Sequence, residues 1–194
     1  MLAQILITIL QIVSMFYLTI VLLRFLLQLA RADFYNPISQ FAVKITNPLL
    51  RPMRRFVPGW GGIDGAALVL AVLIQALTLF LILVALNQGV PAINPVTLLA
   101  WSVLAVLNLI VKIYFWSVIA VVIVSWVAPG SHHPAIQLVA QITEPVMRPV
   151  RKLMPSVGGL DLSPIIVFLI LNVLTVVIQH MAMSIGLASI GVAL

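Results

Sequence analysis

Ile45-Thr46-Asn47-Pro48-Leu49-Leu50-Arg51-Pro52-Met53-Arg54-Arg55-Phe56-Val57-Pro58 is matched 97 residues later by Ile142-Thr143-Glu144-Pro145-Val146-Met147-Arg148-Pro149-Val150-Arg151-Lys152-Leu153-Met154-Pro155. The match runs on without a gap, with Gly61-Gly62-Ile63-Asp64 over Gly158-Gly159-Leu160-Asp161. Ten of the twenty positions from Ile45 to Asp64 are identical. Matched leucines would mean little in an apolar chain, but matched proline, glycine, arginine and aspartate are specific. The offset is half of the 194 residues, and Tyr17 with Tyr114, Pro37 with Pro134 and Thr78 with Thr175 keep it. The chain is therefore a tandem duplication, with units 1–97 and 98–194.

Composition sets the solvent. Hydrophobic residues make up 63% of the chain and charged residues 7%, with a mean hydropathy of +1.26. An ordinary soluble domain is about 25% charged, so a water-soluble globule and a disordered chain are both excluded. A helix crossing about 30 Å of hydrocarbon needs about 20 apolar residues. Four stretches qualify, at about 2–29, 66–86, 98–127 and 164–187. Helix follows, because lipid satisfies no backbone polar group. The expected fold is an all-α membrane protein. Four transmembrane helices form two parallel repeats, each with an amphipathic interfacial segment (37–57 and 134–154) between its spans. Two spans per unit put both units the same way round, related by an axis near the membrane normal.

Charge sets the orientation. Arg31, Lys44, Arg51, Arg54 and Arg55 lie between the first two spans, and Arg148, Arg151 and Lys152 between the last two. The connection from Asn87 to Pro95 carries no basic residue, and neither terminus does. The positive-inside rule then puts the basic segments in the cytoplasm and both termini in the periplasm of a bacterial inner membrane. Trp101 and Trp126 near the ends of the third span are expected at the interfaces. The first span lacks a basic n-region and is too long for a signal peptide, so it is expected to be retained. The net charge of +6 suits anionic lipid of the inner leaflet rather than nucleic acid, since the basic groups flank apolar spans. With no cysteine there is no disulfide, thiolate metal site or Cys nucleophile.

Pro37 suits a first helical turn. Ile38, Phe41, Ala42 and Ile45 make one apolar face, repeated by Ala135, Leu138, Val139 and Ile142. Pro48 and Pro145 are expected to kink or restart the helix, giving two short helices. Beyond the break, Arg51, Arg54 and Arg55 share a face that Arg148, Arg151 and Lys152 repeat. Such helices lie in the interface, their cations towards phosphate. Pro52 and Pro149 recur within the basic run. The Gly61-Gly62 and Gly158-Gly159 turns end the segments. Asp64 is placed to cap the second span. Ser163 is the better cap in the second unit, leaving Asp161 to pair with an arginine. Gly59-Trp60-Gly61-Gly62 lacks the context of a nucleotide loop.

Within the spans, Arg24 is near enough to the inner end to snorkel. Lys112 sits mid-span, where insertion costs about 2.5–3.5 kcal/mol, and it needs a polar partner inside the bundle. Its counterpart is Met15, so the charge lies outside the duplicated pattern. Amides recur at matched depths, Gln11 with Asn108 and Gln75 with Asn172. They read first as interhelical hydrogen-bonding groups, and otherwise as the lining of a polar path. His132, His133 and His180 have no metal or haem spacing. No catalytic constellation appears, so neither enzymatic activity nor a cofactor is expected.

The paired motif T-x-P-x-x-R-P-x-R-R/K-x-x-P-x-x-G-G-x-D, at Thr46–Asp64 and Thr143–Asp161, resembles the YggT family and its YlmG relatives in bacteria and chloroplasts. Ser125-Trp126 and Ser163-Pro164 fit that pattern. Gln28-Leu29 and Gly65-Ala66-Ala67 depart from it in the first unit. The resemblance implies links to osmotic-stress tolerance, potassium uptake, division, nucleoid distribution and, in chloroplasts, haem attachment to cytochrome b6; no plausible haem ligand set is present here. The expected function is non-enzymatic. The basic faces would dock anionic lipid and an unidentified membrane partner. The alternative is a conduit for potassium or osmolytes around Lys112 and Arg24, which would need a homo-oligomer because four helices seldom enclose a pore.

Overall fold

The computed structural model describes residues 1–59, 62–87, 92–128, 130–153 and 161–186. The described residues form six helices: α1 (Leu2–Leu29), α2 (Pro37–Phe56), α3 (Gly65–Asn87), α4 (Pro95–Val127), α5 (Pro134–Leu153) and α6 (Ser163–Ser184). α1, α3, α4 and α6 are long and apolar enough to cross a membrane, and the described residues contain no strand. The protein is a multi-pass membrane protein. Residue 187, the expected end of the fourth span, lies outside the described residues.

Three helices start alike. A proline takes the first turn, and the residue before it accepts the next free amide. Asn36 Oδ1 accepts from Ile38 N at 3.0 Å, Asn94 Oδ1 from Val96 N at 2.9 Å, and His133 Nδ1 from Ala135 N at 3.2 Å. α1 ends in a Schellman turn. The Arg31 amide donates to Gln28 O at 3.1 Å and the Ala32 amide to Leu27 O at 2.9 Å. Arg31 adopts φ +51° there, in the left-handed region that usually falls to glycine.

Three expectations need correction. The internal prolines do not divide the connecting segments, since α2 runs through Pro48 and Pro52 and α5 through Pro145 and Pro149. Each proline removes one ladder bond. All four are exposed, while the buried stripe Ser39, Ala42, Thr46 and Leu50 continues underneath α2. That stripe is also rotated from the expected one, leaving Phe41 54% exposed. In α5, Leu138 and Ile142 are buried as expected. Ser163 is not the cap of α6. It is the first helical residue, and Asp161 Oδ1 accepts its amide at 2.9 Å. The two tryptophans near the ends of α4 differ in their surroundings within the protein: Trp101 is buried and donates to Ile185 O at 2.9 Å, and Trp126 is exposed.

Each repeat packs its two spans together, α1 on α3 and α4 on α6, and α3 meets α4 between the units. α2 lies against α1 and α3, α5 against α4 and α6, and α2 touches α5. α1 and α6 share no comparable interface, so the ends of the row keep unpartnered flanks. The connecting helices join across the repeats through Asn36 Nδ2, which donates to Pro134 O at 2.9 Å, and the Asp33 amide, which donates to Gln141 Oε1 at 3.0 Å. The first unit is drawn together by small residues. Ala66, Ala67 and Ala71 are fully buried in one cluster with Val21, Leu22 and Leu26, and only small side chains let helix axes approach so closely in lipid. Ala71→Leu should therefore overpack this contact and cost about 1–3 kcal/mol, lowering the Tm of the purified protein. Leu73→Ala, at a half-exposed position, should leave Tm unchanged; equal losses would contradict the packing.

Candidate functional site

The basic end of the bundle is built around an arginine and an aspartate ten residues apart in each repeat. In the first unit Arg54 Nη2 donates to Asp64 Oδ2. Asp64 is almost wholly buried and its Oδ1 accepts from the Ala67 amide at 3.3 Å, capping α3 as expected. Gly62, at φ +85°, makes the turn between them, and its carbonyl accepts from Gln28 Nε2 at 3.5 Å. In the second unit Arg151 reaches Asp161 and Glu144, both at 3.0 Å. This pair is open to solvent, with Asp161 46% exposed against 2% for Asp64. Partial burial pushes the Asp161 carboxyl up. Hydrogen bonds from the Ser163 hydroxyl and amide and from Arg151 outweigh it, and hold the carboxyl below its ordinary value. Burial likewise lowers Arg151, but its two carboxylates raise it further. Gly61, Gly158 and Gly159 lie outside the described residues.

Of the six basic residues expected to dock lipid or a partner, Arg54 and Arg151 are thus engaged in these pairs. Arg51, Arg55, Arg148 and Lys152 are exposed and make no ion pair among the described residues. Phe56 and Leu153 are exposed beside them.

Arg24 is buried instead of snorkelling freely. Its Nη1 donates to Thr46 Oγ1 at 2.6 Å, Asn47 Oδ1 at 2.9 Å and Val43 O at 3.3 Å. These bonds fasten α1 to the turn of α2 that precedes Pro48. Thr46 was visible in the sequence only as a repeated threonine. Its role has no sequence signal, because its counterpart Thr143 bonds only its own helix, at Ala140 O.

Lys112 and Arg24 do not form one intramembrane site. Lys112 lines a cavity of about 260 Å³ between α1, α3 and α4, together with Gln11, Ser14, Gln75, Thr78 and Asn108. Three of the four matched amides therefore converge. The fourth, Asn172, is exposed on α6 and donates to its own helix at Phe168 O, 2.8 Å away. Thr78 Oγ1 donates to Ser14 Oγ at 2.8 Å across the helices. Asn108 is buried and its Oδ1 has no hydrogen-bond partner among the described residues. Ser14 has no polar counterpart in the second unit, so the repeat did not reveal it.

The CCB3/YggT family model matches the chain twice, over residues 3–85 and 100–182. The chain belongs to the CCB3/YggT family. An uncharacterised protein of Pseudomonas aeruginosa is 54% identical over 180 residues, covering 92% of this chain and 91% of the relative. The uncharacterised protein YggT of Escherichia coli K12 is 36% identical over 173 residues, 88% of this chain and 87% of its own length. A Vibrio alginolyticus relative is 37% identical over 153 residues, 79% and 82% of the two chains. No solved structure matches. Each copy of the family pattern contains one arginine–aspartate pair.

The two pairs should respond differently to the same change. Asp64→Asn leaves Arg54 facing a buried neutral group and should cost about 2 kcal/mol. Asp161→Asn acts on an exposed pair and should cost less than about 1 kcal/mol. Asp161 titrates lower in the folded state, so its contribution is present above the ordinary carboxylate value of about 4 and is lost as pH falls through the folded value. The Tm gap between wild type and Asp161→Asn should therefore close in acid. A gap that widens would contradict the pairing.

Proposed function

We propose that this YggT-family protein is a non-enzymatic factor of the bacterial inner membrane that docks anionic lipid and a membrane partner through its basic end. The observation that carries this reading is the repeated exposure of Arg51, Arg55, Arg148 and Lys152, without carboxylate partners among the described residues. Exposed Phe41, Leu49 and Phe56 on α2, with Leu153 on α5, lie alongside them. Cations beside apolar groups suit the boundary between headgroups and acyl chains. Anionic lipid attracts such cations by about 1 kcal/mol each. The charge distribution favours the cytoplasmic side for this end, and hence periplasmic termini.

A second reading, a conduit, draws support from the polar cavity and the unsatisfied Asn108 Oδ1. Buried acceptors are ordinarily satisfied by protein groups or ordered water, and one that the described protein leaves open suits a wet or solute-lined path. The amides and hydroxyls of Gln11, Ser14, Gln75, Thr78 and Asn108 in the cavity wall suit a neutral osmolyte. The unpartnered flanks of α1 and α6 leave room for the oligomer it needs.

Glutamine at Arg51, Arg55, Arg148 and Lys152 together should preserve insertion, because Arg54 and Arg151 keep their pairs. It should also leave a deletion strain as sensitive to hyperosmotic medium as the empty vector does. Full rescue by this variant would sink the docking reading. In liposomes, osmolyte or potassium flux that depends on the protein and falls with Lys112→Met would establish the conduit instead.

A further inference from the structure

The two repeats carry the same cavity at the same place with opposite chemistry. In the first unit a cavity of about 440 Å³ lies between the end of α1 and α2, lined by Arg24, Leu27, Gln28, Arg31, Ser39 and Val43, with Arg54 at its edge. In the second unit a cavity of about 410 Å³ is lined by Val121, Val124, Ser125, Ala128, Ile136 and Ala140. Those six residues are the 97-residue counterparts of the first six, in order. Duplication supplied the hollow, and substitution made one copy cationic.

The cations of the first cavity exceed what the fold requires. The protein has four carboxylates. Asp64 is taken by Arg54, Glu144 and Asp161 by Arg151, and Asp33 accepts from the Tyr35 amide at 2.9 Å. Neither Arg24 nor Arg31 has a carboxylate at ion-pair distance among the described residues. Arg24 rests on neutral oxygens through Nη1 alone. Its Nε and Nη2 have no hydrogen-bond partner among the described residues, and the side chain lines the cavity. Arg31 is not needed to finish α1, since backbone amides already serve the carbonyls of Leu26, Leu27 and Gln28. It also holds a left-handed backbone where glycine would be unstrained. Its counterpart Ala128 has φ −140°. A residue kept in a strained conformation beside a cavity, with its charge unanswered, points to a ligand.

We propose that the Arg24–Arg31–Arg54 cavity binds a phosphate group, either the phosphodiester of an anionic lipid headgroup or free inorganic phosphate. Guanidinium forks match phosphate oxygens in geometry and charge. The volume equals that of about fifteen waters in the liquid, room for a phosphoglycerol headgroup. The apolar Leu27, Phe34 and Val43 in the wall suit the glycerol and acyl ends of a lipid. The proposal deepens the anionic-lipid reading above but uses different side chains.

Delipidated full-length protein in neutral detergent, titrated calorimetrically with dihexanoyl-phosphatidylglycerol, dihexanoyl-phosphatidylcholine and inorganic phosphate, tests it. Saturable binding of phosphatidylglycerol without phosphatidylcholine binding identifies the headgroup as source; equal binding of inorganic phosphate identifies the free ion. In either case Arg31→Gly should weaken binding about tenfold or more while its ligand-free Tm stays level or rises, since the backbone strain is relieved. A purely structural arginine would not combine those effects. Arg24→Gln should also lose binding; if it does not fold, Arg31→Gly carries the test alone. Lys44→Gln, an equal loss of charge away from the cavity, should bind as wild type. No binding of any of the three ligands, or equal weakening in Lys44→Gln and Arg31→Gly, overturns the proposal. The quadruple glutamine variant leaves the cavity intact. Retained phosphatidylglycerol binding with lost rescue, or the reverse, therefore tells failure of one reading from failure of the other.

Discussion

One constraint recurs in both halves of the molecule: the carboxylate that starts the second span must meet the arginine that ends the helix before it. The sharp turn at Gly62 brings Asp64 under Arg54, and Asp64 then caps α3 through the Ala67 amide. The second unit reproduces the linkage with Arg151, Asp161 and the Ser163 amide. This short closure fixes where each second span begins. It thereby sets the register of α3 on α1 and of α6 on α4. A connecting helix that would otherwise trail on a flexible loop is held against its own two spans.

The units then diverge around that closure in a correlated way. Where the first has Asn47 the second has Glu144, and where the first has Arg24 the second has Val121. Glu144 adds a second carboxylate to Arg151. Asn47 contributes a neutral oxygen to Arg24. The second unit therefore sets two carboxylates against the arginine of its closure, whereas in the first Arg24 and Arg31 have no carboxylate at ion-pair distance among the described residues. Burial follows the same division. Asp64 is almost wholly buried, and Asp161 stays half open.

Much of the fold was legible because the bilayer simplifies it. Apolar length alone located the four spans to within a few residues, and the period of 97 matched α1 with α4 and α3 with α6 as repeats. Prolines were harder to read. Sequence treats Pro48 as a break, but all four lie on the outer side of helices whose buried stripe continues past them, so loss of a ladder bond does not end the helix. Caps were also ambiguous where two acceptors compete, as with Asp161 and Ser163. The basic faces were visible as a pattern, but not which arginine is consumed. The selection of Arg54 and Arg151 depends on how a glycine turn folds back, a three-dimensional fact with no linear period.

The intramembrane cavity shows the limit from the other side. Matched amides at equal depth implied equivalent surroundings, and the implication fails for Asn172. α3 is flanked by α1 and α4, so Gln75 turns into a polar interior. α6 is flanked by α4 alone among the spans, so its equivalent amide faces outward and falls back on its own helix. Identical sequence depth becomes different burial because a row of helices has ends. Lys112 occurs only in the unit whose first span is enclosed on both sides. Its counterpart Met15 lines the same cavity from α1. The unequal ends of the row thus decide which of the matched amides reach a polar interior, while the lysine distinguishes two copies of a position that face one cavity from α1 and from α4.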